Sequence, residues 1–211
     1  MYKYIAKFAG IVGFLLVLPL TGFEAGAQKL PEKSVLEGER ILGRADAPVT
    51  VTEYASFTCP SCAALHTGAL TQIKKEYIDT GRVRLIYRDF PLDQIAEAAS
   101  MMARCAAPSR YFPLVQMLYR SQPKWSQARN PAAALAQIGR LAGISQKTFD
   151  ACMSNRALYE SIIKSRNMAS KTKQVRSTPT LFLGDEMIQG ELTAARLRVM
   201  LDDALAKAAA R

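Results

Sequence analysis

The sequence predicts an α/β fold whose sheet is interrupted by a long all-helical stretch. Three observations predict it. A β-favouring run with Val49, Val51, Tyr54 and Phe57 leads directly into Cys59-Pro60-Ser61-Cys62, and residues 83–87 follow as a short strand of alternating character. Residues 92–174 contain nothing that reads as a strand. Thr180–Leu183, a Gly184-Asp185 turn and residues 186–189 then read as a hairpin. Strand, helix and strand in that order imply a right-handed parallel crossover.

Each segment has its own justification. Lys3 and Lys7 precede an apolar run over residues 8–20, and Ala25-Gly26-Ala27 follows. That is the pattern of a signal peptide, with cleavage expected after Ala27. The run is short for a bilayer span and is broken by Pro19, which disfavours the alternative of an uncleaved anchor. Residues 28–47 form a polar N-terminal arm in which Ile41-Leu42-Gly43 is placed to pair on a sheet edge. Asp46-Ala47-Pro48 turns into the first long strand. The first long helix is expected over residues 59–79, ending at Thr80-Gly81, with Leu65, Ala69, Ile73 and Tyr77 facing the core.

Helices are then expected over residues 94–107, 111–120, 131–142, 145–152 and 157–174, with Pro123-Lys124-Trp125 breaking the pattern. Trp125, Met101, Met102 and Met117 read as core residues, or as the lining of an adaptable groove. After the hairpin, Thr193 caps a last helix that carries Leu197, Met200, Leu201 and Leu205 on one face. No internal repeat is present. The expected organisation is a signal peptide at 1–27, an arm at 28–47, a sheet domain made of 48–91 and 175–211, and a helical insert at 92–174.

Composition sets outer bounds. The chain has 211 residues, 49% hydrophobic and 22% charged, which fits a globular protein. Its formal charge is +10, and loss of Lys3, Lys7 and Glu24 with residues 1–27 leaves about +9. The basic residues are scattered and not interleaved with aromatics, which argues against a nucleic-acid partner. Export would place all four cysteines in an oxidising compartment.

The chemistry centres on Cys59 and Cys62. Two cysteines one helical turn apart can face each other and close a small disulfide. A helix N-terminus carries partial positive charge that stabilises a thiolate. Cys59 is the expected exposed, acidified nucleophile, and Cys62 its resolving partner. Pro60 suits the first turn of a helix, and Pro60 and Ser61 together tune thiolate stability. Structural zinc needs about four ligands in one closed site; the chain offers Cys59, Cys62, Cys105, Cys152 and His66, and the second cysteine pair is not in metal-ligand spacing. Covalent haem attachment needs His directly after the second cysteine, where this chain has Ala63. His66, one turn after Cys62, is placed near the thiols without a catalytic assignment.

With Cys59-Pro60-Ser61-Cys62, the acidic Glu53 six residues earlier and Thr178-Pro179 opening a later strand, the chain resembles the DsbA-type thiol:disulfide oxidoreductases of the thioredoxin superfamily. The resemblance covers most of the chain after residue 47. It implies a thioredoxin-like fold with an inserted all-helical subdomain. It implies that Glu53, buried near Cys62, relays protons, and that Pro179 is cis and lies beside the disulfide with Thr178 facing substrate. Some relatives carry a second, non-catalytic cysteine pair, which Cys105 and Cys152 resemble; two free buried thiols are the other reading. Bonded, they would contribute roughly 3–4 kcal/mol in the chain-entropy model.

The implied activity is that of a periplasmic dithiol oxidase. It would donate the Cys59–Cys62 disulfide to reduced, unfolded exported proteins and be reoxidised by a quinone-linked DsbB-like membrane partner. No metal or organic cofactor is called for. The nearest alternative is a disulfide isomerase or reductase. Those relatives usually dimerise through an added N-terminal domain, whereas about 20 residues here precede the first strand, so a monomer is expected. Further alternatives are a non-enzymatic copper module using Cys59, Cys62 and His66, and a membrane-tethered variant.

Overall fold

The computed structural model describes residues 30–210, so the apolar run and the expected cleavage point after Ala27 lie outside the described residues. Five strands form one mixed sheet in the order β1-β3-β2-β4-β5. They are β1 (Arg40–Leu42), β2 (Val49–Ala55), β3 (Val83–Asp89), β4 (Thr180–Leu183) and β5 (Glu186–Met187). β2 and β3 run parallel, in register from Val49 opposite Val83 to Ala55 opposite Asp89. β1 is antiparallel to β3, β4 to β2, and β5 to β4. The Ile41-Leu42 segment of the arm thus does pair on the sheet edge. Just before it, α1 (Lys33–Glu37) adds a short helix that the polar composition of the arm did not suggest.

The central strand β2 alternates buried Val49 and Val51 with half-buried Thr50 and Thr52 and is fully buried from Glu53 to Ala55, where both faces of the sheet are covered. On one side Val49, Val51, Val83, Leu85 and Leu181 pack with Ile73, Tyr77, Leu197 and Leu201. The last two come from α10 (Ala194–Ala209), whose N-cap Thr193 accepts from the Arg196 N–H. On the other side Tyr54 and Phe182 pack with Phe90 and Val175.

The single helix expected over residues 59–79 is three pieces: α2 (Pro60–Thr67), α3 (Ala69–Ile73) and a π turn at Lys74–Ile78. Gly68 breaks it, with φ −110° and ψ −103°. A Cβ at that position would sit 2.9 Å from the Ala64 carbonyl oxygen, so the kink is shaped around glycine. The periodicity of Leu65, Ile73 and Tyr77 survives the kink, and all three are buried.

The insert contains α4 (Gln94–Arg104), α5 (Pro108–Arg120), α6 (Gln122–Ser126), α7 (Pro131–Leu141), α8 (Gln146–Met153) and α9 (Arg156–Thr172). Asp93, Asn130, Ser145 and Asn155 each accept a hydrogen bond from the backbone N–H three residues on. Such caps satisfy amides that a helix start leaves without partners. Pro123 does not break the chain here; it sits in the first turn of α6, where its missing N–H costs nothing. Trp125 is buried and donates its indole N–H to Leu118 O at 2.8 Å. Met101 and Met102 are also buried core residues, which corrects the groove reading for them.

A buried ion pair with its hydrogen bonds ties the insert to the rest, and a disulfide braces the insert itself. Arg104 donates to Asp89 at 2.6 Å and to the Leu36 and Gly38 carbonyls, while Arg40 donates to Arg104 O. Cys105 and Cys152 are disulfide-bonded, with Cα atoms 6.3 Å apart. They pack with Leu36, Met101, Leu158 and Ile162. Among the described residues no helix is long and apolar enough to cross a membrane.

Candidate active site

The parallel β2–β3 pair ends at Ala55 and Asp89, and the chain leaving β2 turns at once into α2. Cys59 is the N-cap of α2, with extended backbone at φ −74° and ψ 119°, and Pro60 fills the first turn. Gln122, from α6 of the insert, donates to the Phe57 carbonyl at 2.7 Å and the Cys59 carbonyl at 2.9 Å. Thr58 donates to Asp93 at 2.6 Å. The cysteine turn is therefore clamped by the insert as well as by the sheet.

Both thiols are unbonded. Cys59 was expected to be exposed, but only 8% of it is accessible; Cys62 is fully buried. Cover comes from the far end of the sequence. The Thr178–Pro179 peptide is cis, and the Cys59 thiol donates to the Thr178 carbonyl oxygen at 3.1 Å.

The two sulfurs titrate in opposite directions. Cys59 falls from the ordinary thiol value of 9.0 to about 5, held down chiefly by hydrogen bonding from Cys62. Burial opposes this, and the Thr178 side chain and the Cys62 and Ser61 N–H groups add to it. Cys62 is pushed well above the ordinary thiol range, first by burial, then by hydrogen bonding to Cys59 and by the nearby charge of Glu53. One thiolate and one thiol in a single turn suit nucleophilic exchange.

Glu53 lies on β2 behind Cys62 and is 1% accessible. Both carboxylate oxygens are 3.0 Å from Nε2 of His66, which is 2% accessible. His66 stacks on Tyr119, with ring centroids 4.3 Å apart. Its Nδ1 faces the Gln116 side-chain amide at 3.4 Å. Tyr119 and Tyr87 share a hydroxyl hydrogen bond at 2.8 Å, and burial raises both phenols far above their ordinary range.

The structure thus gathers Cys59, Pro60, Ser61, Cys62, Glu53, Thr178 and Pro179 in one place. Cys105 and Cys152 lie apart from them, in a different cluster of the insert. Both ring nitrogens of His66 are turned to Glu53 and Gln116, so its committed neighbours are not the two sulfurs that the copper alternative requires. Two residues escaped the sequence reading of the site. His66 left a signal, its helical spacing from Cys62; Gln122 left none, because it reaches the turn from 63 residues away.

A mixed sheet, a cysteine pair at a helix mouth and an apposed cis-proline loop define a thioredoxin-like protein of the DsbA type, with its helical insert. The chain belongs to the thioredoxin family: the model described as Thioredoxin matches residues 35–203. It is similar to the crystal structure of alpha-DsbA1 from Wolbachia pipientis, with TM-score 0.77 and 25% identity over 86% of this chain and 96% of that one. It is similar to the structure of a protein-disulfide isomerase from Novosphingobium aromaticivorans, with TM-score 0.70 and 25% identity over 80% of this chain and 97% of that one. A Rickettsia bellii relative, provisionally named a protein-disulfide oxidoreductase, is 31% identical over 148 residues, 70% of this chain and 57% of that protein. The chain spans about half the length of the curated relatives it matches first.

Proposed function

We propose that the chain is a dithiol oxidase that donates a Cys59–Cys62 disulfide to reduced exported proteins. The supporting observation is the placement of Cys59 at the mouth of α2, against the Thr178 carbonyl, with its thiol lowered to about 5. A thiol that ionises so readily is a good leaving group, and a stabilised reduced thiolate makes the disulfide a stronger oxidant.

The reaction has two exchanges. A substrate thiolate attacks Cys59 Sγ, the Cys59–Cys62 bond breaks, and its electron pair goes to Cys62, which takes up a proton. A second substrate thiolate then attacks its own mixed-disulfide sulfur and releases Cys59 as a thiolate. The substrate gains a disulfide and the protein holds a dithiol. Thr178 offers backbone groups to an extended peptide, in the manner of strand addition. Glu53 relays the proton of Cys62. A quinone-linked DsbB-like membrane oxidase restores the disulfide, and the exported protein works as a monomer in the periplasm after cleavage near Ala27.

A second reading, disulfide isomerisation, is favoured by the name of the Novosphingobium neighbour. One experiment separates them. Chain lacking residues 1–27 is mixed with a reduced, unfolded test protein, beside Cys59→Ser and an insulin-reduction assay. Rapid net oxidation lost in Cys59→Ser is the expected result. Reshuffling without net oxidation would overturn the oxidase in favour of the isomerase.

A further inference from the structure

The oxidase reading leaves one buried titratable group without work. His66 is the single histidine of the chain, and it is 2% accessible. A buried imidazole held by a carboxylate on one nitrogen and an amide on the other is a built arrangement. Gln116 Nε2 donates to Nδ1, which leaves Nε2–H to donate to Glu53. The stack on Tyr119 fixes the plane of the ring.

Behind the ring lies a cavity of about 290 Å³, walled by Leu42, Leu85, Phe112 and Val115. His66, Gln116 and Lys74 supply polar lining. Gln116 Oε1 is buried and has no hydrogen-bond partner in the protein. A cavity with an unmet acceptor and an imidazole on its wall can hold water. His66 stands on its wall, whereas Thr178 covers Cys59.

We propose that His66 is the positioning residue for Glu53: its Nε2–H holds the carboxyl group that exchanges a proton with Cys62, and the cavity keeps water at the far side of the ring. The inference rests on the oxidase reading. When the Cys59–Cys62 bond breaks, the electron pair on the Cys62 sulfur takes a proton from Glu53. Glu53 is left as the carboxylate that His66 Nε2–H holds in the dithiol form. When Cys62 attacks Cys59 during reoxidation, its proton returns to Glu53 and the partner's thiolate leaves. The other titratable groups facing the pair are Cys62 on α2, Tyr87 on β3 and Tyr119 and Tyr111 on α5. Lys74 faces the cavity but is already bound to Asp79 at 2.6 Å. None of the three tyrosines ionises near neutrality, because burial pushes each phenol up.

The test follows closure of a glutathione mixed disulfide on Cys59, a step that requires Cys62, as a function of pH. Wild type is compared with His66→Gln, Glu53→Gln and the double variant. His66→Gln should slow closure roughly tenfold, the low end of what a positioned proton carrier contributes, and change the shape of its pH profile. The ultraviolet titration of the Cys59 thiolate should stay in place. The double variant should be no slower than Glu53→Gln, since both residues act as one unit. A wild-type rate and profile in His66→Gln, or additive slowing in the double variant, would overturn the proposal. In wild type, ¹⁵N spectra of the one imidazole should show the Nε2–H tautomer in the reduced protein and shift on oxidation; unchanged signals would also overturn it, whether or not the variants fold. If wild type closes no mixed disulfide, the oxidase reading itself falls, and this proposal with it.

Discussion

Ionisation of Cys59 should make the stability of the reduced protein depend on pH in a defined window. The perturbation is Cys59→Ser, which leaves a hydroxyl that does not ionise. In the folded protein the thiol titrates at about 5, against 9.0 for an ordinary thiol. The folded state therefore releases this proton earlier than the unfolded chain does. Its contribution is absent below about pH 5, grows as pH rises from there, and is complete above about pH 9. At pH 7 the folded thiol is some two units past its midpoint while the unfolded one is still protonated, which corresponds to about 2.7 kcal/mol. Cys59 keeps some contact with solvent, and screening reduces this to about 1–2 kcal/mol. Above pH 9 Cys62 acts the other way, since its raised titration lets only the unfolded chain ionise there. The assay is urea unfolding of reduced wild type and reduced Cys59→Ser from about pH 4 to pH 9. Their stability difference should widen in favour of wild type as pH rises. A difference that stays flat, or narrows, refutes the assignment of Cys59 as a thiolate stabilised by the fold.

Other outcomes test neighbouring parts of the argument. Cys62→Ala removes the largest cause of the low Cys59 titration, so the thiolate absorbance should titrate about one unit or more higher. Replacing both Cys105 and Cys152 with Ala should cost roughly 3–4 kcal/mol in urea unfolding, because the bond closes a loop with a sequence separation of 47. Arg104→Met should cost about 3–5 kcal/mol by leaving buried Asp89 without its cation, and Arg104→Met with Asp89→Leu should recover part of that loss in the same assay.

What the sequence made legible was local. Strand β2, the cysteine pair behind it, and the Gly184-Asp185 hairpin are encoded by neighbouring residues, and periodicity and turn chemistry report them directly. The kink at Gly68 was not legible, since the apolar stripe of Leu65, Ile73 and Tyr77 continues through it and a helical glycine carries no periodic mark. Pro123 was misread as a breaker because a proline that ends one helix and a proline that begins the next look alike without the fold. Long-range placement was the larger gap. The accessibility of Cys59 depends on Thr178, and the clamp on its turn depends on Gln122, neither of which any spacing rule connects to residue 59. Glu53 was found by its offset from the pair, yet its partner His66 was left unassigned, because whether an imidazole one turn from a thiol faces solvent or a buried carboxylate is decided by the strand beneath it.

The order in which the site is encoded has a consequence for how the protein is made. Cys59 emerges from the ribosome 119 residues ahead of the Thr178 carbonyl that will face it. Between residues 105 and 152 of that interval three of the four cysteines, 59, 62 and 105, are in existence while Cys152 and β4 are not. Their thiols titrate then as those of any unfolded peptide, and nothing distinguishes the pair destined for exchange from the one destined for permanence. Part of the asymmetry between Cys59 and Cys62 is conferred last, when the Thr178–Pro179 turn closes over the helix mouth. A chain that trades disulfides as proposed has to reach that point without first trading among its own.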